Sequence, residues 1–472
     1  MDISKEAGKA KFESHPYIPN SVPAVQEAML REIGAASVDE FFACIPEDLR
    51  VSGRMEMPEP IFSEAGLKRH VEGIASKNVN VNRVLSFLGG GCWNHFVPAS
   101  CDEINSRSEF LTAYAGDPYE DHGRFQALFE YESLMAELLE MDVVNVPTYD
   151  GAQACGTALR MACRITGRAS VLVPEVMNPD RLKALVTYLH PQIEVRTVKA
   201  AADLTLDVDD LRSKTDGRVA AVFIENPAFL GVIETKGREI AEVAHAAGAL
   251  FVVCADPSSL GVLTPPSGYG ADIACGDIQP LGMHMHFGGA RGGFIASCDD
   301  EKFVREYPSR LFGIASTTHG EWGFGDVAWE RTSFARREEA KEFVGTAAAL
   351  WGITAGVYLA TMGPQGMKEL GTGLMQRARY LACALSKLPG VRIMTDAPFF
   401  KEFPVCFAGT GKRVERINEA LRERAIFGGH DLSVDYPGCK AMGNAALYCV
   451  NETMTQTDMD SLVRALSGIL EG

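Results

Sequence analysis

Between residues about 120 and 300, short β-branched runs alternate with amphipathic segments, and this alternation constrains the fold more than any other feature. The segments between the runs, such as AQACGTALRMACRI and KGREIAEVAHAAG, place apolar residues at helical spacing, and Gly248 is predicted to end the second helix. The predicted strands are VVNV at 143, SVLVPEV at 170, IEVRTV at 193, VAAVFIEN at 219, LFVVCAD at 250 and GGFIAS at 292. This pattern predicts an α/β fold with a largely parallel sheet that helices cover on both faces.

The 472 residues are enough for one large and one smaller domain. In the N-terminal part, Ser37 and Ser63 are each predicted to cap a helix, and the three glycines from Gly89 to Gly91 predict a tight loop. Helical periodicity then extends from about 325 to 388. The predicted regions are an N-terminal helical or extended arm over 1–110, a large α/β domain over 111–330, a helical connection over 331–390 and a small C-terminal α/β domain over 391–472.

Charge and composition exclude several classes of partner. The net charge of −17 argues against nucleic acid or an anionic membrane as a main partner. The start of the chain, 1–15, lacks the apolar core of a signal peptide, and no apolar stretch is long enough to cross a bilayer. The 12 cysteines form no CxxC pair, and Cys163, Cys254 and Cys449 are expected to be buried thiols. We therefore expect a cytoplasmic protein.

Two strand ends are candidate ligand sites, because open parallel sheets bind ligands beyond the carboxyl ends of their strands. After VVNV, the turn containing Gly151, Ala152 and Gln153 opens a helix, which suits a phosphate but also suits an ordinary strand-to-helix turn. After LFVVCAD, the Asp256 carboxylate needs a partner if it is buried. The pyridinium nitrogen of pyridoxal phosphate (PLP) would be such a partner, and capping of the next turn is an equally good interpretation.

PLP enzymes with this order of features also need a lysine for the Schiff base, some tens of residues after the aspartate. No lysine occurs between Lys236 and Lys302. A stand-alone aminotransferase is therefore disfavoured.

Many ordered segments resemble one family, subunit 1 of the two-subunit glycine decarboxylase, the P-protein of the glycine cleavage system. The similarity runs from about residue 17 to the end. It includes YIPNSVPAVQEAMLREIGAASVDEFFACIPEDLR, FLGGGCWNHFVPAS, FEYESLMAELLEMDVVNVPTYDGAQA, ENPAFLGVIE, AGALFVVCADPSSLGVLTPPSGYGADIACGD, FGGARGGFIA and YLATMGPQGMKEL.

The resemblance implies the aspartate-aminotransferase fold of PLP enzymes (fold type I) and an α₂β₂ complex in which subunit 2 holds the lysine and PLP. It places Gln279 at the lysine position, Asp256 at the pyridine-contacting aspartate, and Gly151, Ala152 and Gln153 at the phosphate turn. These residues would form a vestigial pocket, and this chain would supply no catalytic residue. The complex would decarboxylate glycine and transfer the aminomethyl group to the lipoyl H-protein.

Two segments depart from the family pattern. Residues 112–123 read TAYAGDPYEDHG, and they retain little beyond the flanks and one proline–tyrosine pair. A serine–asparagine pair of the family is replaced by Glu342 and Phe343. We expect Tyr114, Tyr119, His122, Glu342 and Phe343 to contact substrate or partner, and we expect a divergent paralogue with a related amino acid as an alternative substrate.

Two further functions stay open: a two-subunit PLP lyase or aldolase acting on another amino acid, and a non-catalytic pseudoenzyme homodimer that binds PLP or an amino acid. No metal site is expected. The run Met283-His284-Met285-His286 suits a soft metal, but it has no further ligands nearby in the sequence, which favours an ordinary loop.

Overall fold

The computed structural model describes residues 17–18, 22–51, 55–111, 122–289, 291–327, 329–332, 338, 340–342, 344 and 348–471. The chain divides into two compact units, Met1–Asn78 and Val79–Gly472. The region boundaries predicted at 110, 330 and 390 stay predictions.

The described residues of the first unit form two helices, α1 (Pro23–Glu32) and α2 (Glu64–Ala75), and short 3₁₀ turns between them. The prediction for Ser63 is confirmed, because its hydroxyl accepts a hydrogen bond from the Gly66 N–H at the start of α2. The prediction for Ser37 is wrong. This residue precedes a 3₁₀ helix, Val38–Phe42, and its side chain makes no capping hydrogen bond.

A seven-stranded sheet forms the centre of the second unit, with strand order β2-β8-β7-β6-β5-β3-β4. Its strands are β2 (Val143–Val144), β3 (Ser170–Pro174), β4 (Glu194–Val198), β5 (Val219–Asn226), β6 (Leu250–Ala255), β7 (Ile273–Asp277) and β8 (Gly293–Ser297). The pairs from β7 to β4 are parallel, whereas β8 is antiparallel to both β7 and β2. All eight residues of β5 are buried, as expected for a strand covered on both faces.

Helices flank this sheet and connect it to a smaller one. They are α3 (Ala99–Asn105), α4 (His122–Leu139), α5 (Gly151–Thr166), α6 (Pro179–Leu189), α7 (Val208–Lys214), α8 (Gly237–Ala246), α9 (Glu301–Val304) and α10 (Ala349–Leu385). The helix α5 ends at Gly167, which has φ +67°, and α8 is followed by Gly248 with φ +69°. The long α10 packs on α4 and is kinked at Gly363, which precedes Pro364.

The C-terminal part builds a four-stranded antiparallel sheet with strand order β11-β12-β15-β14. Its strands are β11 (Arg392–Ile393), β12 (Glu402–Cys406), β14 (His430–Asp431) and β15 (Ala445–Cys449), with helices α11 (Val414–Arg422), α12 (Leu432–Asp435) and α13 (Gln456–Glu471). The described part of the chain also has two smaller strand pairs: β1 (Leu85–Ser86) with β13 (Ile426–Phe427), and β9 (Phe312–Ser316) with β10 (Trp322–Asp326).

The helical segment expected from about residue 325 is wrong at its start. Residues 325 and 326 lie in β10, which forms an antiparallel hairpin with β9, and α10 begins only at Ala349. The expected burial of Cys163, Cys254 and Cys449 is confirmed. Within the described residues, no helix combines the length and apolarity that a bilayer span requires.

Candidate functional site

A cluster of buried charges lies at the carboxyl ends of three neighbouring strands. Glu225 and Asp277 are the acidic residues near the ends of β5 and β7, and Asp256 directly follows β6. Two further segments complete the cluster, the glycine-rich loop around Trp93 and the start of β12 in the smaller sheet. This is the place where the sequence predicts a ligand site.

The Asp256 side chain is 9% exposed and has three hydrogen-bond donors within the chain. Its Oδ1 accepts from the Ser258 N–H (2.9 Å) and the Ser258 hydroxyl (2.6 Å), so it caps the turn that follows. Its Oδ2 lies 2.6 Å from Lys401 Nζ. Burial disfavours the ionised carboxyl, but the Lys401 ammonium and these hydrogen bonds outweigh burial and lower the pKa of Asp256.

Lys401 directly precedes β12, and its side chain is only 2% exposed. Besides Asp256, its ammonium reaches Ser258 Oγ (3.2 Å) and His95 Nε2 (3.0 Å), and it lies 3.5 Å from the centre of the Trp93 ring. Three hydrogen-bond partners and a cation–π contact satisfy an ammonium that would otherwise be costly to bury.

The contact with Lys401 also indicates which ring nitrogen of His95 carries the hydrogen. An ammonium only donates, so His95 Nε2 accepts and Nδ1 carries the hydrogen. That nitrogen faces Glu452, with Oε2 at 2.9 Å. Burial raises the pKa of Glu452, but the His95 contact and backbone hydrogen bonds outweigh burial and lower it to about 2. A chain of polar contacts therefore links Asp256 through Lys401 and His95 to Glu452.

Asp277, the last residue of β7, directs its carboxylate to the first residue of α5. Its Oδ2 accepts from the Gly151 N–H (3.1 Å) and lies 3.3 Å from Nε of Arg291, and its Oδ1 accepts from the Gln279 N–H (2.9 Å). Burial raises the pKa of Asp277 to about 6, although Arg291 opposes the rise. A Cβ on Gly151 would lie 2.9 Å from Asp277 Cβ and from its backbone nitrogen, so the close approach requires glycine.

Gln153 of the expected phosphate turn forms hydrogen bonds with neighbouring residues at the start of α5. Asp150 caps α5 by accepting from the Gln153 N–H (2.8 Å), and Gln153 Oε1 accepts from the Tyr149 N–H (2.9 Å). Ala152 lies between them in the first turn. Two first-turn N–H groups that would face a phosphate, those of Gly151 and Gln153, are thus bonded to protein carboxylates.

Gln279 is fully buried and holds the glycine-rich loop. Its amide group donates to the Trp93 carbonyl (2.9 Å) and the Met283 carbonyl (3.0 Å), and its Oε1 accepts from the Trp93 N–H (3.2 Å). An amide has both a donor and an acceptor, so it matches both backbone groups of Trp93, which a lysine ammonium cannot do.

The residues present do not fit PLP. The cavity lined by Trp93, Asp256, Asp277 and Lys401 has a volume of about 50 Å³, far below the roughly 300 Å³ at which small-molecule pockets begin. The Asp256 carboxylate already has a cationic partner, and the Gly151 N–H already has an anionic one.

Glu342, one of the expected substrate or interface residues, contacts helices instead of the charged cluster. Its carboxylate forms ion pairs with Arg160 and Arg164 of α5 and accepts hydrogen bonds from Thr157 (2.9 Å) and from Tyr188 of α6 (3.1 Å). With its side chain 10% exposed, Glu342 links α5 to α6.

Tyr114, Tyr119 and Phe343 lie outside the described residues, and of His122 the structure describes only the backbone, at the start of α4. In the Met283–His286 run, His284 Nε2 lies 3.0 Å from Asp102 Oδ1, and the His286 ring packs on Trp351. Among the described residues, no group of three or more His, Cys, Asp or Glu side chains is placed to hold a metal ion.

Sequence reasoning missed Lys401, Arg291 and Asp277. The available signal was the Lys401-Glu402 pair itself, which follows Phe399-Phe400 and precedes Phe403. Charged residues between large apolar residues at a strand start are expected to be buried with partners.

The family model described as "Glycine cleavage system P-protein" matches residues 15–466. The chain belongs to this family. Similar proteins are those named "Probable glycine dehydrogenase (decarboxylating) subunit 1" from Staphylothermus marinus (38% identical, covering 97% of this chain and 99% of the relative) and Desulfitobacterium hafniense (37%, 96% and 99%). The family expected from the sequence is confirmed.

A solved structure of the same family, "glycine decarboxylase (P-protein) of the glycine cleavage system, in inhibitor-bound form", is 36% identical, with a TM-score of 0.82, and covers 95% of this chain and 98% of that one. A Burkholderia pseudomallei sphingosine-1-phosphate lyase shares the fold at 14% identity, with a TM-score of 0.65 over 90% of this chain and 94% of that one. The expected fold type I architecture is confirmed, and P-protein relatives cover nearly the whole chain.

Proposed function

We propose that this chain is the cofactor-free subunit 1 of a glycine-decarboxylase-like complex, and that a lysine-bearing partner holds the PLP. The observation that carries the proposal is Gln279. It follows β7, where the resemblance expects the Schiff-base lysine, and its amide is not a nucleophile. The sequence from 237 to 301 contains no lysine that could substitute for it.

Lys401 does not replace the missing lysine. Its ammonium faces Asp256, the residue expected to contact the pyridine nitrogen, and donates to Ser258 and His95 as well. A lysine held by this carboxylate would occupy the place that the resemblance assigns to the ring nitrogen, and not the place of the Schiff-base lysine, where Gln279 lies.

The names of the relatives support a two-chain enzyme, since they designate a subunit 1 of glycine dehydrogenase (decarboxylating). We propose an α₂β₂ assembly in which this chain supports the site on its partner, the decarboxylation of glycine and the docking of the lipoyl H-protein. PLP on the partner would supply the electron sink for loss of the carboxylate.

The first unit supports the need for a partner surface. No residue of α1 or α2 is buried, although both helices carry apolar side chains. Exposed apolar residues continue between these helices, among them Phe41, Phe42 and Phe62, the last being 68% exposed. Apolar surface of this extent on a folded chain is typical of an interaction site.

The homodimeric pseudoenzyme that binds PLP is disfavoured, because the groups that would hold PLP already have partners in the chain: Asp256 has Lys401, and the Gly151 N–H has Asp277. For a two-subunit enzyme acting on another amino acid, the altered segment 112–123 lies almost wholly outside the described residues, and Glu342 is anchored to α5. No described contact favours this alternative, so glycine is the proposed substrate.

The test is co-expression with a lysine-bearing subunit 2 homologue, followed by size exclusion and by exchange of the glycine carboxyl with labelled bicarbonate. We expect a colourless single chain, a yellow complex, and exchange only in the complex. The variant Phe62→Glu should weaken assembly, and the matched control Val434→Glu, at a residue 73% exposed in the C-terminal part, should not. A complex that never forms, or a single chain that catalyses exchange, contradicts the proposal.

A further inference from the structure

The pocket contains two opposite charges of the chain, and each lies on a residue that the sequence resemblance expects to contact a charged end of PLP. One is the Lys401 ammonium on Asp256, at the end of β6. The other is the Asp277 carboxylate on the Gly151 N–H, at the first turn of α5. The sequence resemblance assigns the ring nitrogen to the first position and the phosphate to the second.

At the cationic end, Lys401 has the charge of the protonated ring nitrogen of PLP and the same carboxylate partner, Asp256. PLP would present one N–H⁺ to Asp256, and Lys401 presents its N–H⁺ to the same carboxylate at 2.6 Å. The Trp93 ring faces the ammonium at 3.5 Å, so an aromatic surface covers the cation and excludes water from it.

At the anionic end, the Asp277 carboxylate has the sign of charge of the phosphate and contacts the groups that would bind a phosphate. Helix N-termini bind phosphate through free N–H groups. Here the Asp277 carboxylate accepts the Gly151 N–H, and Arg291 lies 3.3 Å from the same oxygen, as an arginine would beside a phosphate. Arg291 also donates to the Gly91 carbonyl (2.6 Å), which ties the anionic end to the glycine-rich loop.

The glycine-rich loop closes the space between the two charges. Gln279 holds both backbone groups of Trp93, and the Gly90 N–H donates to Glu402 Oε1 (2.6 Å). A Cβ on Gly89 would lie 2.1 Å from the same carboxylate oxygen, so the loop could not approach Glu402 with a larger residue there. The remaining cavity of about 50 Å³ has room for a few water molecules.

We propose that Lys401 and Asp277 are internal substitutes for the ring nitrogen and the phosphate of PLP, and that they close this pocket to pyridoxine phosphates. The inference rests on the proposed cofactor-free role and explains how the chain maintains a PLP-type fold without the cofactor. Lys401 pairs with Asp256, and Asp277 pairs with the Gly151 N–H, so neither of these two groups is left buried without a partner.

The experiment titrates the full-length chain with pyridoxine 5′-phosphate, which lacks the aldehyde and therefore cannot label surface lysines. Binding is measured by calorimetry and by the shift of the thermal midpoint. We expect no saturable binding to the wild type at millimolar ligand. The double variant Lys401→Ala/Asp277→Ala, which removes both charges and the side-chain volume that fills the pocket, should bind and show a raised midpoint.

Two controls separate pocket opening from general destabilisation. Lys401→Arg keeps a cation on Asp256 and should not bind, and Lys183→Met, which breaks an exposed ion pair with Asp180, should behave as the wild type. Saturable binding to the wild type that Asp256→Asn abolishes would overturn the inference, as would a folded double variant that does not bind. If the double variant does not fold, Asp277→Ala alone takes its place and should bind, and saturable binding to the wild type still overturns the inference. Complex formation with a lysine-bearing partner is measured separately, so failure of the subunit role and failure of this inference give different results.

Discussion

Removing the buried ammonium of Lys401 should strongly destabilise the chain, because Asp256 would be left as an unpaired buried charge. The two groups are 2.6 Å apart and both side chains are at most 9% exposed. At an effective dielectric constant of about 20, the attraction at this distance is on the order of 6 kcal/mol before desolvation is subtracted. Breaking one side of such a pair costs about 3–5 kcal/mol, which is the expected loss of unfolding free energy for Lys401→Met.

A double-mutant cycle with Asp256→Asn measures this coupling by urea denaturation. In the Asp256→Asn background the carboxylate is gone, so Lys401→Met should cost clearly less, with an interaction energy of about 2 kcal/mol or more. The exposed pair Lys183–Asp180, with side chains 78% and 93% exposed, is the control, and Lys183→Met should cost no more than about 1 kcal/mol. Equal costs of Lys401→Met in both backgrounds would refute the reasoning.

Three further predictions concern the loop and the first unit. Burial raises the pKa of Glu402 from 4.5 to about 7. Ionisation of this carboxyl therefore costs folding stability as the pH rises from 4.5 to about 7. Glu402→Gln removes this cost, so it should stabilise the chain by up to about 3 kcal/mol near pH 8 and by much less near pH 5. Gln279→Met should lower the unfolding free energy by about 1–3 kcal/mol for each Trp93 backbone group left unpaired, and should shift tryptophan fluorescence to the red. Ser63→Ala should weaken α2 by about 1 kcal/mol in amide hydrogen exchange, whereas Ser37→Ala should have little effect.

Each of these predictions has a result that contradicts it. A stabilisation by Glu402→Gln that is the same at both pH values would mean that the carboxyl does not titrate in the window. For Gln279→Met, the exposed Gln126→Met in α4 is the control, and equal effects of the two would argue against a buried clamp. If Ser37→Ala matched Ser63→Ala, the difference in capping between the two serines would be wrong.

The sheet was predictable from sequence where the strands carry their own signal. Runs such as VAAVFIEN are long and β-branched, and they form β5 as expected. The strand β7, with the sequence IACGD, was missed, because its small residues have weak strand propensity and pairing with β6 and β8 decides its conformation. Likewise, the helical prediction from about residue 325 includes Gly325 and Asp326 of β10, although a hairpin with β9 orders these residues.

The position of the site was predictable from the sequence, but the presence of the Lys401 side chain in it was not. Asp256 and the turn at Gly151 could be found because each follows an apolar strand. Lys401 could not be placed against Asp256, because the two are far apart in sequence and meet only when β12 of the smaller sheet approaches the end of β6. Contacts between separate sheets are set by tertiary packing, and local periodicity carries no information about them.

The most direct test of the central claim is borohydride reduction of the PLP-loaded complex, followed by peptide mapping. The reduction fixes a pyridoxyl group on whichever lysine holds the cofactor. The account predicts that the label lies on one peptide of the lysine-bearing partner and that the peptide containing Lys401 is unmodified. A stoichiometric pyridoxyl label on Lys401, or on any other lysine of this chain, would contradict it.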